Sequence, residues 1–215
     1  MLQKKIRAIA FICASLPIMS FIVGINPAQA HHPLGGRTPA TFIEGFLSGL
    51  GHPIIGLDHF AFVVAIGLIA VLTAKRGLLL PITFSLATAL GTVIHLSSID
   101  LPAPELIISV SVFTIGLALA MNRQFNLLLL ILLGAIAGLF HGYAYGESIF
   151  GAETTPVAAY LLGFASIQIL ISAISFYVGK LAVNQVNDSS SLYLRFAGFT
   201  IAGIGLTFLS NAILG

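Results

Sequence analysis

The chain reads as an all-α, polytopic membrane helical bundle with six transmembrane helices after a cleaved signal peptide. Three observations predict this. Of its 215 residues, 58% are hydrophobic and only 7% are charged, where a soluble domain carries about 25% charged residues. Apolar tracts of the ~20 residues that a bilayer crossing needs recur from residue 56 to the end. The few charges also sort by sign between alternate boundaries of those tracts.

The first element is a secretory signal over residues 1–30. Lys4, Lys5 and Arg7 form its basic start, Ala8 to Ile25 its apolar core, and 28-AQA-30 a small-x-small cleavage site. Cleavage makes His31 the new N-terminus, outside the cytoplasmic membrane, and leaves residues 31–215 as one transmembrane domain. It also removes Cys13, the only cysteine. Disulfides and thiolate metal sites are thereby excluded from the mature chain.

Residues 39–52, "PATFIEGFLSGLGH", are apolar but too short to span on their own. Helical spacing puts Glu44, Ser48 and His52 on one face. Gly51 and Pro53 are expected to break this segment from the first span. The prediction is a half-helix or re-entrant segment at the outer surface. Six spans come next, at about 56–74, 77–97, 104–121, 125–145, 156–179 and 193–213, separated by polar or proline-rich breaks. The pairs "GFLSG" (45–49) and "GAIAG" (134–138) have the small-xxx-small spacing that lets helices approach closely.

Charge orients the bundle. Lys75, Arg76, Arg123, Lys180 and Arg195 fall at every second boundary, and Asp100, Glu105, Glu147 and Glu153 at the others, which hold no Lys or Arg. Basic boundaries stay in the cytoplasm. Both termini of the mature chain are therefore expected outside the inner membrane, and six spans fit that parity.

Chemistry concentrates in 51-GHPIIGLDHF-60, which sets His52, Asp58 and His59 in an apolar tract. An ionisable residue at mid-bilayer costs roughly 2.5–3.5 kcal/mol on insertion scales, so such residues usually mark function. The topology directs all six histidines toward the outer face: His31, His32, His52, His59, His95 and His141. Imidazole and carboxylate without sulfur suit Ni, Co, Zn, Cu or Fe. An unbroken helix would put His52 and His59 on one face but ~10 Å apart along its axis, too far to share one ion at a bond length of ~2 Å. A common site thus needs a turn near Pro53 and Gly56.

Other candidates are scattered. Glu147 comes soon after His141 and joins it as a candidate ligand. Ser85, Thr88, Thr92 and His95 recur at helical spacing as a polar stripe able to line a path, although Ser and Thr can equally bond their own helix carbonyls. The same holds for Gln168, Ser172 and Ser175; Glu44 is grouped with the path. The amine freed at His31, with the imidazoles of His31 and His32, offers a further chelate. No Walker-type phosphate loop or dinucleotide fingerprint is present, and a net charge of +2 is too small and scattered for nucleic acid. No nucleotide, nucleic acid or organic cofactor is expected; the partners are the bilayer and a divalent metal ion.

Two motifs carry a resemblance. "HPIIGLDH" fits HPxxGxDH, and "FHGYAYGE" fits HGxAxGxE. With an exported, six-span, apolar chain, the sequence resembles the HupE/UreJ family over essentially the whole mature chain. The resemblance implies secondary uptake of Ni2+ or Co2+ as the transported ion, with a metal role for His52, Asp58 and His59 and for His141 and Glu147. The first motif is similar to the His-x4-Asp-His element of the nickel/cobalt transporter family, but one residue longer, so that geometry does not carry over. The sequence does not choose between nickel and cobalt. Two other readings remain beside the permease: a metal-binding sensor or accessory subunit that does not conduct, and a membrane metalloenzyme.

Overall fold

The computed structural model describes residues 37–73, 76–184 and 190–214. The expected signal peptide, its cleavage site, His31 and His32 lie outside them. Among the described residues the chain forms α1 (Phe42–Ile55), α2 (Leu57–Ala70), α3 (Leu79–Leu96), α4 (Pro104–Met121), α5 (Leu127–Gly146), a 3-10 turn (Glu147–Ile149), α6 (Thr154–Asn184) and α7 (Ser190–Leu214). Helices are what apolar tracts must form in lipid, because every backbone N–H and C=O needs an internal partner there. The chain is a multi-pass membrane protein.

The helices α3 to α7 are each long and apolar enough to cross a bilayer, whereas α1 and α2 qualify only as a pair bent by 80°. This corrects the expected first span at 56–74. With 14 residues, α2 is about 21 Å long, short of the ~30 Å hydrocarbon core. The half-helix before it is present, and only together with it is α2 long enough to cross. Along α1, Gly45 abuts Pro156 and Gly49 abuts Tyr160; along α2, Gly67 abuts Ser172, and Leu68 and Val71 meet Gly179. The two halves therefore track α6 in one direction, from one end of its apolar stretch to the other. Counted as one broken span, they bring the crossings to six.

The break falls at Gly56, one of the two positions expected for the turn, and not at Gly51 or Pro53. Pro53 lies inside α1, and the helix ends at Gly56, whose N–H reaches the His52 carbonyl at 3.1 Å. A proline removes one ladder bond without turning the chain away. Gly56 turns it, with the extended ψ of 105°.

Glycines set the remaining contacts. Gly138 lies on Phe84, Gly142 on Thr88 and Gly146 on His95, so α5 runs parallel to α3. Gly116 lies on Ala202, Gly198 on Ala120 and Gly205 on Phe113, so α7 runs antiparallel to α4. Both relations fit alternating crossings. Both small-residue pairs noted in the sequence are used: Gly45 and Gly49 admit the α6 backbone, while Gly134 and Gly138 admit Leu80 and Phe84.

The core surrounds α2, where Phe62, Val63, Ala65, Ile66 and Ile69 are buried. A helix apolar all round belongs at the centre of a bundle. The exterior is apolar as well, with Leu86, Leu132, Leu162, Phe196 and Phe199 exposed. That surface suits hydrocarbon rather than water.

Candidate metal centre

The break at Gly56 assembles the site. His52 stands in the last turn of α1 and His59 in the first turn of α2. Their ring centroids are 5.6 Å apart, which a continuous helix would forbid. Gly56 is needed for space here: a Cβ would come within 2.7 Å of His59 Cδ2 and 3.3 Å of an Asp58 carboxylate oxygen.

His141 arrives from α5. Its Nδ1 lies 2.8 Å from Nδ1 of His59. Two ligand nitrogens at ~2.0 Å from an ion and at right angles to each other would be about 2.8 Å apart. The pair thus has the spacing of two adjacent ligands. His52, His59 and His141 are all 0% exposed. They lie at the depth of Thr88, which contacts Gly142 midway along α3.

Asp58 is buried, and its carboxylate accepts the His59 N–H at 2.8 Å. It occupies the first turn of α2, where the helix dipole favours an anion. Among the described residues, no three His, Cys, Asp or Glu side chains converge closely enough to hold one ion. What is formed is a histidine pair with His52 and Asp58 beside it.

The family model for the HupE / UreJ protein matches residues 19–208. The chain belongs to the HupE/UreJ family. Protein HupE of Rhizobium leguminosarum bv. viciae is 27% identical over 184 residues, covering 85% of this chain and 91% of that protein. No solved structure matches the chain. The HupE/UreJ family is associated with nickel and cobalt uptake.

Both motifs through which the chain resembles this family meet in the buried cluster, with one difference. Glu147, the last residue of the second motif, is exposed on the 3-10 turn. Its neighbour Ser148 faces inward, with Oγ 2.9 Å from His52 Nδ1. The residues grouped as a path divide. Thr88 is buried, with its hydroxyl 2.8 Å from Ser85 O and 3.0 Å from Gln168 Oε1, so that its one hydrogen is shared between the two acceptors. Thr92 is spent on the carbonyls of Gly142 and Thr88, at 2.8 and 3.1 Å. His95 packs apart from the cluster, with its ring 4.6 Å from Tyr143 and 5.6 Å from Phe150. Glu44 caps α1: it accepts the Ala40 N–H at 2.8 Å and pairs with Arg37 at 3.5 Å, while Thr41 accepts the Glu44 N–H at 3.2 Å.

Four residues of the cluster are not evident from the motifs as ligands. Tyr145 covers His52 and His59, with centroids at 4.7 and 4.6 Å. Tyr160 places its hydroxyl 2.9 Å from His52 Nδ1 and donates to the Tyr145 carbonyl at 2.9 Å. Ser148 is the third, and Ser111, 3.0 Å from His141 Nε2, the fourth. Gln168, noted only within a stripe, donates to the Tyr145 hydroxyl at 3.2 Å. A signal existed for Tyr160: it stands four and eight residues before Phe164 and Gln168, on the face that continues to Ser172.

Proposed function

We propose that the chain is a secondary permease that takes up Ni2+ or Co2+ across the cytoplasmic membrane. The observation that carries this reading is the His59–His141 contact at a broken crossing. It is a ligand-spaced pair, buried in the bundle and contributed by both family motifs. Signal cleavage after Ala30, a single domain over 31–215 and mature termini outside belong to the same proposal.

In this reading the ion arrives from outside, exchanges water for imidazole, and is held by His52, Asp58, His59 and His141. Glu147, exposed near the cluster, would attract the cation before it is dehydrated. The freed His31 amine, with His31 and His32, would chelate it earlier still. Thr88 and Thr92 would flank its onward route, His95 the outer approach, and Glu44 the start of the broken crossing. An incomplete ligand set suits transit, because conduction requires binding weak enough to permit release. The inside-negative potential supplies ~2.3 kcal/mol per charge per 100 mV, about twice that for a divalent ion. The chain needs no catalytic group for this and is read as a transporter, not an enzyme.

The test is flux of radiolabelled nickel and cobalt into proteoliposomes holding the purified mature chain. Wild-type protein is expected to transport at least one of them, and His59→Ala and His141→Ala to reduce flux to background at equal incorporation. Metal binding without flux would instead support a sensor or accessory subunit. Normal flux in both variants would exclude the cluster as the cargo site.

A further inference from the structure

We propose that Ser111 and Tyr160 are positioning residues that fix the tautomers of His141 and His52, so that the ion meets Nδ1 of the first and Nε2 of the second. The proposal rests on reading both histidines as cargo ligands.

The argument is a count of hydrogens. A hydroxyl has one hydrogen, and a carbonyl oxygen can only accept. Ser111 Oγ lies 2.6 Å from the Ile108 carbonyl oxygen. Two oxygens that close require a hydrogen between them, and only the serine can supply it. Ser111 therefore meets His141 Nε2, at 3.0 Å, with a lone pair, and Nε2 must carry the N–H. A neutral imidazole has one N–H, so the lone pair of His141 is on Nδ1. That atom faces His59 Nδ1 at 2.8 Å, which accordingly donates to it.

The same count holds at the other histidine. The Tyr160 hydroxyl lies 2.9 Å from the Tyr145 carbonyl oxygen, and its hydrogen is committed there. It receives His52 Nδ1, at 2.9 Å, as an acceptor. Ser148 Oγ lies equally close to the same nitrogen; with it accepting as Tyr160 does, His52 is the Nδ1–H tautomer, with its lone pair on Nε2.

The two histidines are set in opposite tautomers by hydroxyls from α4 and α6. The hydrogen bond made by one imidazole nitrogen decides which nitrogen is left for a metal. One consequence concerns loading. In the metal-free arrangement the His141 lone pair is occupied by the His59 N–H. An ion that takes Nδ1 of His141 must displace that hydrogen bond, and the hydrogen on His59 Nδ1 must shift to Nε2 or leave as a proton before both Nδ1 atoms can bind.

The test uses the mature chain labelled with 15N-histidine, in nanodiscs and free of metal. Long-range 1H–15N spectra distinguish the protonated ring nitrogen from the bare one, and His52→Gln and His141→Gln assign the signals. The expected result is Nε2–H for His141 and Nδ1–H for His52. Ser111→Ala should release His141 into a mixture of tautomers, and Ser111→Thr should retain the wild-type form. Tyr160→Phe combined with Ser148→Ala should do to His52 what Ser111→Ala does to His141. Calorimetric Ni2+ affinity should fall about 10–100-fold in Ser111→Ala, the usual effect of removing such a partner, and return in Ser111→Thr. A merely structural serine would not move a tautomer. An Nδ1–H signal for His141 in the wild type, or its unchanged tautomer in Ser111→Ala, would overturn the proposal. Wild-type protein with the assigned tautomers but no nickel or cobalt binding would overturn the ligand reading beneath it instead.

Discussion

The broken crossing α1–α2 and the straight pair α4–α7 treat polar atoms in opposite ways. In α4 and α7, Ser109 returns its hydrogen to Glu105 O, Thr200 to Phe196 O and Thr207 to Gly203 O, each within its own helix. Glycines then bring the two helices together. Around the break, bonds run between elements: Thr88 to Gln168, Gln168 to Tyr145, Tyr160 to Tyr145 O, and His59 to His141. A hydroxyl that bonds its own helix can be lost without altering a neighbour. A hydroxyl that bonds another helix fixes where that neighbour's side chain points. The difference separates a packing seam from a site, and Ser111 stands at the junction by doing both.

The comparison breaks most sharply at glycine. Gly56→Ala inserts a Cβ 2.7 Å from His59 Cδ2, whereas at Gly203 of α7 a Cβ meets nothing within 4 Å. Overpacking typically costs about 1–3 kcal/mol, so Gly56→Ala should weaken Ni2+ affinity about tenfold or more. Gly203→Ala should leave it unchanged, as calorimetry of both variants would check. Equal affinities would mean that the turn does not set the site.

A middle-sized effect is expected at Gly198, where a Cβ would collide with Ala120 of α4. Gly198→Ala should lower thermal stability in detergent by the equivalent of about 1–3 kcal/mol. The folded fraction should keep wild-type metal affinity. A selective loss of affinity would join the seam to the site.

The smallest effect is expected at Glu44. Its carboxylate is engaged by Ala40 N–H and Arg37 at the start of α1. As a cap, Glu44→Gln should lower thermal stability only slightly and leave flux near normal. A collapse of flux at unchanged stability would show that Glu44 lies on the ion's route.

Much of the architecture was legible because the bilayer makes length and charge strict. Spans two to six begin or end within a few residues of the helices that form, apart from the extension of α6 to Asn184. The turn near His52 was legible as a need, since two histidines seven residues apart cannot meet on a straight helix. Its position was legible to the pair Pro53 and Gly56; Pro53 is the stronger breaker by propensity, but the space around His59 selects Gly56. Ser48 and His52 share a buried face as the spacing predicts, while Glu44 on that face reaches the helix end and becomes a cap. The hydroxyl partners of the histidines were the least legible. Ser111, Ser148 and Tyr160 are separated from them by 30, 96 and 108 residues, so only the folded bundle brings them together.

The central claim is that the histidine pair at the break holds the transported ion. X-ray absorption at the nickel edge of the loaded, purified chain tests it most directly. Imidazole scattering should be present in the wild type and should fall when either His59 or His141 is replaced by alanine, with the His95→Ala spectrum unchanged. Identical spectra for the wild type and both cluster variants would place the ion elsewhere and contradict the account.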